Sequence, residues 1–205
     1  MSYQQQTSKP SDFMVDPARD GIANSLWDTV TGTPALSGAT PNQFRFNASA
    51  AVVRSDLLHA TVEFSVNFPL SGAQTPANLV DDISFGLRNQ SLGNLGRIDV
   101  FVDSSADTIT FRTYDDFGSL ESTTLTWDTD WNGAQTIFRF AWHSNGGCAL
   151  AVRADGDTEY THLATHNTSI PTRSLNPYVT VVGGENFDLD FIAVKRALHS
   201  SLMLI

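Results

Sequence analysis

Pairs of carboxylates are the feature of this sequence best suited to chemistry, because two adjacent carboxyl groups can act as nucleophile and general acid. Three aspartate pairs have i, i+2 spacing, namely Asp128/Asp130, Asp155/Asp157 and Asp188/Asp190. On a strand this spacing puts both side chains on one face, about 6.8 Å apart. The first two pairs lie among turn-forming residues, and we interpret them as turn formers. The third pair lies in a predicted strand, and we assign it no catalytic role.

Histidine and cysteine are the other side chains that could bind a metal or act as catalysts. His162 and His166 are four residues apart, a spacing that brings two rings together on a helix but not on a strand. We therefore interpret both as surface residues and not as metal ligands. The single cysteine, Cys148, has apolar neighbours, so we predict a buried core thiol and exclude a cysteine-rich zinc site.

The elements that must position these side chains are β-strands. Leu58 to Phe68 alternates apolar and polar residues throughout, the period of two that marks a strand with one buried face. The other predicted strands are 43–47, 51–54, 83–88, 97–103, 108–114, 122–127, 136–142, 148–153, 158–163, 178–182 and 187–195. Two of them, 136–142 and 187–195, are largely apolar on both faces and should be central. A helical turn is predicted within 74–82.

Composition limits the partners of this chain. Its formal net charge is −10 and it has no cluster of Lys and Arg, so we exclude nucleic acid. No segment approaches the ~20 apolar residues that cross a bilayer, so we expect no membrane partner. The first residues show no signal peptide, and we expect synthesis in the cytoplasm. We divide the chain into an N-terminal arm (1–20), a β-sandwich domain (21–197) and an apolar C-terminal tail (198–205).

Three segments in the second half carry a family resemblance. They are the hairpin Phe138-Arg139-Phe140-Ala141-Trp142 with Ala149 to Gly156, the segment Ser174 to Val179, and the closing strand Phe187 to Val194. In order and spacing they resemble the C-terminal half of concanavalin A-like lectin and glucanase domains. The resemblance implies an all-β fold, a two-sheet antiparallel jelly-roll β-sandwich, and leaves the function open because this fold serves several functions.

The same resemblance shows which family features are absent. Retaining glucanases of this superfamily carry E-x-D-x-E or E-x-D-x-x-E, because they need two carboxyl groups about 5–5.5 Å apart. The four glutamates are Glu63, Glu121, Glu159 and Glu185, and no two lie within twenty residues of each other. We therefore expect that the protein is not an enzyme and that it requires no cofactor. Asp190 matches the aspartate that helps hold a structural calcium in glucanase-type relatives; the alternative is that protein donors satisfy it.

One predicted sheet face could bind sugars. Arg97, Asp99 and Phe101 share one parity of their strand, opposite apolar residues, and Arg112 and Tyr114 lie on a similar face of the next strand. An exposed aromatic platform with charged neighbours is what a sugar site needs, so these five residues form our candidate glycan site. The alternative is that loops or a neighbouring subunit cover this face.

Three functions remain open at this level. The first is a structural protein of a virion or similar particle, a homo-oligomer that associates with itself or with a capsid partner through its arm and tail. The second is a carbohydrate-binding, lectin-like module with calcium as an optional stabiliser. The third is a divergent glycoside hydrolase, which the missing carboxylate motif disfavours. The first interpretation implies a role in a virion or on an extracellular surface.

Overall fold

The computed structural model describes residues 12–15, 27–36, 43–47, 49–53, 55–79, 82–91, 95–183 and 187–196. These residues form fifteen strands in two antiparallel sheets. The strands are β1 (Asp12–Val15), β2 (Trp27–Thr31), β3 (Ala35–Leu36), β4 (Phe44–Phe46), β5 (Ala50–Val53), β6 (His59–Asn67), β7 (Asp82–Arg88), β8 (Arg97–Asp103), β9 (Thr108–Tyr114), β10 (Leu120–Leu125), β11 (Thr136–His143), β12 (Gly147–Arg153), β13 (Thr161–His166), β14 (Asn176–Val182) and β15 (Phe187–Arg196).

The two sheets have eight and seven strands. The eight-stranded sheet has the order β13-β12-β11-β6-β15-β4-β3, with β1 paired to β15. The seven-stranded sheet has the order β10-β9-β8-β7-β14-β5-β2. The predicted two-sheet antiparallel sandwich is therefore confirmed. β11 and β15 both flank β6 in the interior of their sheet, as their apolar faces predicted.

The alternation of side chains accounts for most strand bounds. β8 and β9 begin and end where the sequence pattern places them, because every second residue of each strand is buried. Residues 12–15, which we expected in the N-terminal arm, instead form β1 against β15. The rest of that arm and the tail lie outside the described residues. β2 and β3 are short strands that the alternation did not reveal.

Phenylalanine fills the space between the sheets. Phe85 of the seven-stranded sheet meets four rings of the opposite sheet with centroid distances between 5.2 and 6.3 Å, namely Phe64, Phe138, Phe140 and Phe187. All five side chains are fully buried. Burying each ring contributes about 2–3 kcal/mol. This packing covers the inner face of each sheet, so the alternate residues of β8 and β9, including Arg97, Phe101, Arg112 and Tyr114, lie on the outer face.

Helical structure in the described residues is confined to two short 3-10 turns. One covers Pro76–Leu79, within the predicted helical turn, and the other covers Thr129–Trp131. Neither is long or apolar enough to cross a membrane, and the described part of the chain contains no other helix.

Candidate functional site

The outer face of the seven-stranded sheet carries all five residues of the candidate glycan site. Ile98, Val100 and Val102 of β8 point into the core, so the alternate positions of the strand face outward. One arginine of β7, Arg88, and one tyrosine of β14, Tyr178, lie on the same face. We call this set the arginine face: Arg88, Arg97, Asp99, Phe101, Arg112, Tyr114 and Tyr178.

The strand register fixes which of these residues are neighbours. Asp99 lies opposite Gly86 of β7 on one side and Arg112 of β9 on the other. Tyr178 lies opposite Gly86 on its far side. Arg97 lies opposite Arg88 and Tyr114 in the next row. The site therefore has two adjacent rows, one centred on Asp99 and the other on Arg97.

Asp99 is the centre of the hydrogen-bond network although its side chain is fully buried. Nε and Nη2 of Arg112 donate to Oδ1 and Oδ2 of Asp99 at 3.0 and 2.8 Å. The Tyr178 hydroxyl donates to Oδ2 at 2.6 Å, and Nε of Arg97 lies 3.3 Å from the same oxygen. A buried carboxylate requires such compensation, and bidentate arginine pairs supply the strongest form of it.

The pKa values of the partners agree with this network. Burial raises the pKa of the Tyr178 phenol well above its usual value, and the Asp99 charge raises it further, so Tyr178 remains a hydrogen-bond donor. Burial lowers the pKa of Arg112, but its hydrogen bonds to Asp99 and the charge of that carboxylate outweigh burial and raise the pKa overall. Both side chains therefore hold their protons at neutral pH.

Gly86 makes the contact between β14 and β8 possible. β7 separates these two strands, so the hydrogen bond from Tyr178 to Asp99 passes over position 86. Gly86 has φ +153°, and a Cβ there would lie 2.2 Å from the Ile98 carbonyl oxygen and 2.8 Å from the Asp99 Cα. A side chain at this position would displace β8 and fill the space that the tyrosine crosses.

Each arginine of the face also stacks on an aromatic ring. The guanidinium carbon lies 3.9 Å from the Phe101 ring centroid for Arg112, 4.4 Å from that of Tyr114 for Arg97, and 4.9 Å from that of Tyr178 for Arg88. These are cation–π distances. Phe101 is half-buried beneath Arg112, so its ring is less exposed than the aromatic platform we expected.

Asp190, the predicted calcium ligand, lies on the opposite sheet. The pairing of β15 with β6 shifts register between Leu189 and Phe191, which leaves Asp190 at a β-bulge. Its Oδ2 accepts hydrogen bonds from the Ser65 hydroxyl and the Gln135 amide. Calcium takes six to eight oxygen ligands. Among the described residues, no three His, Cys, Asp or Glu side chains converge as a metal site, so calcium binding stays a prediction.

Asp188 and Asp190 accept hydrogen bonds from different residues. The two oxygens of Asp188 accept hydrogen bonds from Nε and Nη2 of Arg45 at 2.7 and 2.8 Å, and these two residues are cross-strand partners. The two aspartates also differ in strand pairing. Asp188 has a register partner on β6, whereas Asp190 lies in the bulge and has none there. Asp188 therefore serves an ion pair between β4 and β15.

The interpretation of His166 as a surface residue was wrong. His166 is buried between the two sheets, where its Nδ1 and Nε2 each lie 3.0 Å from a threonine hydroxyl, of Thr113 and Thr123 respectively. Its ring stacks on Phe111 with 4.3 Å between centroids. The cause is a β-bulge in the β12–β13 pairing, which inserts Leu163 and turns His162 and His166 to opposite faces.

Sequence reasoning missed Tyr178, Arg88 and Gly86. A signal existed for the first two, because Tyr178 shares its strand parity with Thr180, and Arg88 shares its parity with Ser84, opposite apolar residues in each case. The alternation predicts that they face outward. It does not predict that β14 lies beside β7, and that neighbourhood brings Tyr178 to Asp99.

The fold is similar to those of known sugar-related proteins. No protein-family model matches the sequence, and no curated protein matches it. Among solved structures, the exoplasmic/lumenal domain of VIP36 in its Ca2+/Man-bound form has a TM-score of 0.64 at 14% identity, covering 95% of this chain and 93% of that one. A Bacillus licheniformis β-glucanase has a TM-score of 0.62 at 11% identity, covering 91% and 98%.

A third match is a prokaryotic β-1,3-1,4-glucanase (lichenase) derived from a mouse hindgut metagenome. It has a TM-score of 0.61 at 10% identity and covers 91% of this chain and 99% of the other. The chain therefore has the concanavalin A-like sandwich fold that the resemblance implied. At these identities the likeness establishes the fold alone, and the function rests on the site.

Proposed function

We propose that this protein is a non-catalytic glycan-binding domain and that the arginine face is its binding site. The observation that carries the proposal is the set of aromatic rings stacked with guanidinium groups around the buried Asp99 ion pair. A sugar presents an apolar ring face and a rim of hydroxyls. Half-buried aromatic rings accommodate the first, and the N–H groups of Arg97 and Arg112 can donate to the second.

Preorganisation supports the same proposal. Arg112 is held in its plane by two hydrogen bonds to Asp99 and from below by Phe101. A side chain that is already ordered loses little conformational entropy when a ligand binds. Arg97 is similarly stacked on Tyr114. The face therefore offers fixed donors, as a binding site for a hydroxyl-rich ligand requires.

The arrangement of carboxylates favours binding over hydrolysis. Glycoside hydrolases use two carboxyl groups about 5–5.5 Å apart for retention or about 6.5–9.5 Å apart for inversion. The outward residues next to Asp99 on β8 are Arg97 and Phe101. Asp103 lies four residues along the strand, about 13 Å away, and its Oδ1 accepts hydrogen bonds from Ser105 and Ala106.

The similar structures support the ligand class. The VIP36 domain is described in a Ca2+/Man3GlcNAc-bound form, and two other matches are glucanases, so each is connected with carbohydrate. Their identities to this chain are low, and the proposal depends on the arginine face rather than on them.

The test is glycan binding by a matched pair of tyrosine variants. Tyr114→Ala removes the ring beneath Arg97, whereas Tyr160→Ala removes a half-buried tyrosine beneath Arg139 on the opposite sheet, 3.4 Å from its guanidinium carbon. A glycan array identifies a ligand, and calorimetry then gives the affinities. We expect Tyr114→Ala to weaken binding at least about tenfold, and Tyr160→Ala to leave it unchanged. Equal effects, or no binding to any glycan, would refute the proposal.

Catalysis has its own test. Incubation with a panel of polysaccharides should release no new reducing ends. Release that Asp99→Asn abolishes would show that the face is an active site, and release that Asp188→Asn abolishes would place the active site on the other sheet.

Calcium is tested in parallel by comparing thermal unfolding with calcium and with a chelator, for the parent and for Asp190→Asn.

Self-association in a particle is a separate proposal. It depends on the N-terminal arm and the C-terminal tail, and residues 1–11, 16–20 and 198–205 lie outside the described residues. Removing 198–205 should leave a folded monomer that no longer associates, measured by light scattering with electron microscopy of the same fractions. Unchanged association of the truncated protein would remove the tail from this proposal, together with the extracellular or virion role built on it.

A further inference from the structure

We infer that the arginine face recognises an anionic glycan, one that bears carboxylate or sulfate groups. This inference rests on the proposed function of the same face and narrows its ligand class. It is carried by the charge of the face: three guanidinium groups share the face with one buried carboxylate, Asp99, which contacts two of them, in a chain whose formal net charge is −10.

Arg88 and Arg97 lie directly opposite each other on β7 and β8. Like charges at directly opposite positions destabilise a sheet. Burial lowers the pKa of Arg88, and the charge of Arg97 lowers it further, against an opposing effect of Tyr178. The fold therefore holds two positive charges together at an energetic disadvantage, which an anion bound between them would relieve.

The hydrogen bonds of these two arginines are incomplete. Nε of Arg88 and Nε of Arg97 are both buried, and neither has a hydrogen-bond partner among the described residues. Arg97 Nε lies 3.3 Å from Asp99 Oδ2, close enough for charge attraction, but its N–H is not directed at that oxygen. Unsatisfied buried donors are rare in proteins and call for an explanation, and a bound anion that orders the two guanidinium groups is one such explanation.

The neighbouring carboxylates do not neutralise the pair. Asp99 lies 3.3 Å from Nε of Arg97, but it is shared with Arg112 and Tyr178. At the two ends of the face, Asp103 and Asp115 accept hydrogen bonds from backbone N–H groups of their own turns. Within the described part of the chain, no salt bridge joins Arg88 to a carboxylate, and Arg97 has only a share of Asp99, so the Arg88–Arg97 row keeps a net positive charge.

The chemistry of the face selects anionic sugars among anions. Guanidinium groups bind carboxylates and sulfates through paired N–H donors, and the half-buried ring of Tyr114 adds contact area for a sugar ring. The ligand we infer places one or a few anionic groups over the Arg88–Arg97 row.

Binding to charge-matched polysaccharides tests the inference. The full-length protein is titrated with polygalacturonate, with its fully methyl-esterified form, with dextran sulfate, with dextran and with inorganic polyphosphate, at low and at high salt. The variants are Arg88→Gln and Arg97→Gln. Arg153→Gln is the matched control, because it removes the same charge from the outer face of the opposite sheet, where Arg153 lies 5.2 Å from the Tyr160 ring.

We expect the protein to bind polygalacturonate, dextran sulfate or both, and to bind the esterified polymer and dextran at least tenfold more weakly. Salt should weaken binding, and each face variant should weaken it about tenfold or more while Arg153→Gln does not. Arg88→Gln should have a melting temperature no lower than the parent, because the like-charge pair is removed; a role limited to structure would give the opposite result.

Three outcomes overturn the inference, and they separate it from the proposed function. Equal binding to the neutral polymers, insensitive to salt and to Arg88→Gln, refutes the anionic specificity while the glycan-binding proposal stands. Equal binding to polyphosphate shows unselective charge attraction and refutes a sugar ligand. No binding to any polysaccharide in the set or on the glycan array refutes both. Preference for polygalacturonate or for dextran sulfate identifies the anionic group.

Discussion

The Tyr178 hydroxyl donates a 2.6 Å hydrogen bond to Oδ2 of Asp99, a carboxylate 79 positions earlier in the chain and two strands away. The contact crosses β7 above Gly86, which lies between Tyr178 and Asp99 in the strand register. Because glycine has no side chain, nothing at this position separates the two groups. The hydrogen bond joins Tyr178 of β14 to the row centred on Asp99 and links the stability of the sheet to the geometry of the proposed site.

Removal of this hydroxyl should destabilise the protein. Tyr178→Phe leaves one lone pair of a buried carboxylate without its donor, and we expect the free energy of unfolding to fall by about 1–3 kcal/mol. Urea denaturation measures the change. Tyr114→Phe is the control, because the Tyr114 ring contacts guanidinium groups and its hydroxyl donates no hydrogen bond among the described residues. An equal loss in both variants would show that the Asp99 contact is not stabilising.

Alanine at position 86 should be far more harmful than alanine at an open glycine. The added Cβ would lie 2.2 Å from the Ile98 carbonyl oxygen, so β7 and β8 must separate. We expect Gly86→Ala to lower the free energy of unfolding by about 3 kcal/mol or more. Gly156→Ala is the control, since φ is +86° there with no atom within 4 Å, and its loss should be about 1 kcal/mol. Similar losses would show that backbone strain, not the close approach, dominates.

His166 should make stability depend on pH. Burial lowers the pKa of His166 below its usual 6.5, and the nearby charge of Glu121 only partly opposes this effect. Below pH 6.5 the unfolded chain binds a proton that the folded protein does not, so stability is complete above that pH and falls as the pH is lowered. The slope attributable to this residue is at most about 1.4 kcal/mol per pH unit.

Denaturation of the parent and of His166→Gln between pH 7.5 and 5.5 measures the difference. The variant should be less stable at pH 7.5 and should have the flatter profile. His162→Gln is the control, because His162 is exposed on the other face of β13 and should leave the slope unchanged. A parent profile parallel to that of His166→Gln would contradict the prediction.

Cys148 should be unreactive in the folded protein. Its side chain is fully buried in the core, and burial raises the pKa of the thiol far above its usual value, so the reactive thiolate is not populated. A colorimetric disulfide reagent should modify less than a tenth of the thiol under native conditions within the time that modifies all of it in urea. Rapid modification of the native protein would show that β12 opens locally.

Much of the fold could be predicted because side-chain alternation is a local property. β8 and β9 have the predicted bounds, and the alternation also predicts that Arg97, Asp99 and Phe101 face away from the core. The prediction of side-chain direction failed where a β-bulge interrupts the strand pairing. The bulge at Leu163 reverses the parity of β13 and buries His166, and no feature of residues 158–166 taken alone indicates an extra residue in the pairing.

The amino-acid sequence by itself therefore determined the class of fold, the buried thiol of Cys148 and the outward direction of most residues on the arginine face, because each depends on a residue and its near neighbours. The tertiary structure alone decided that β14 lies beside β7, that Arg88 faces Arg97, and that Tyr178 reaches Asp99. Such strand neighbourhoods are set by the packing of two complete sheets around one core, and a pattern within one strand carries no information about them.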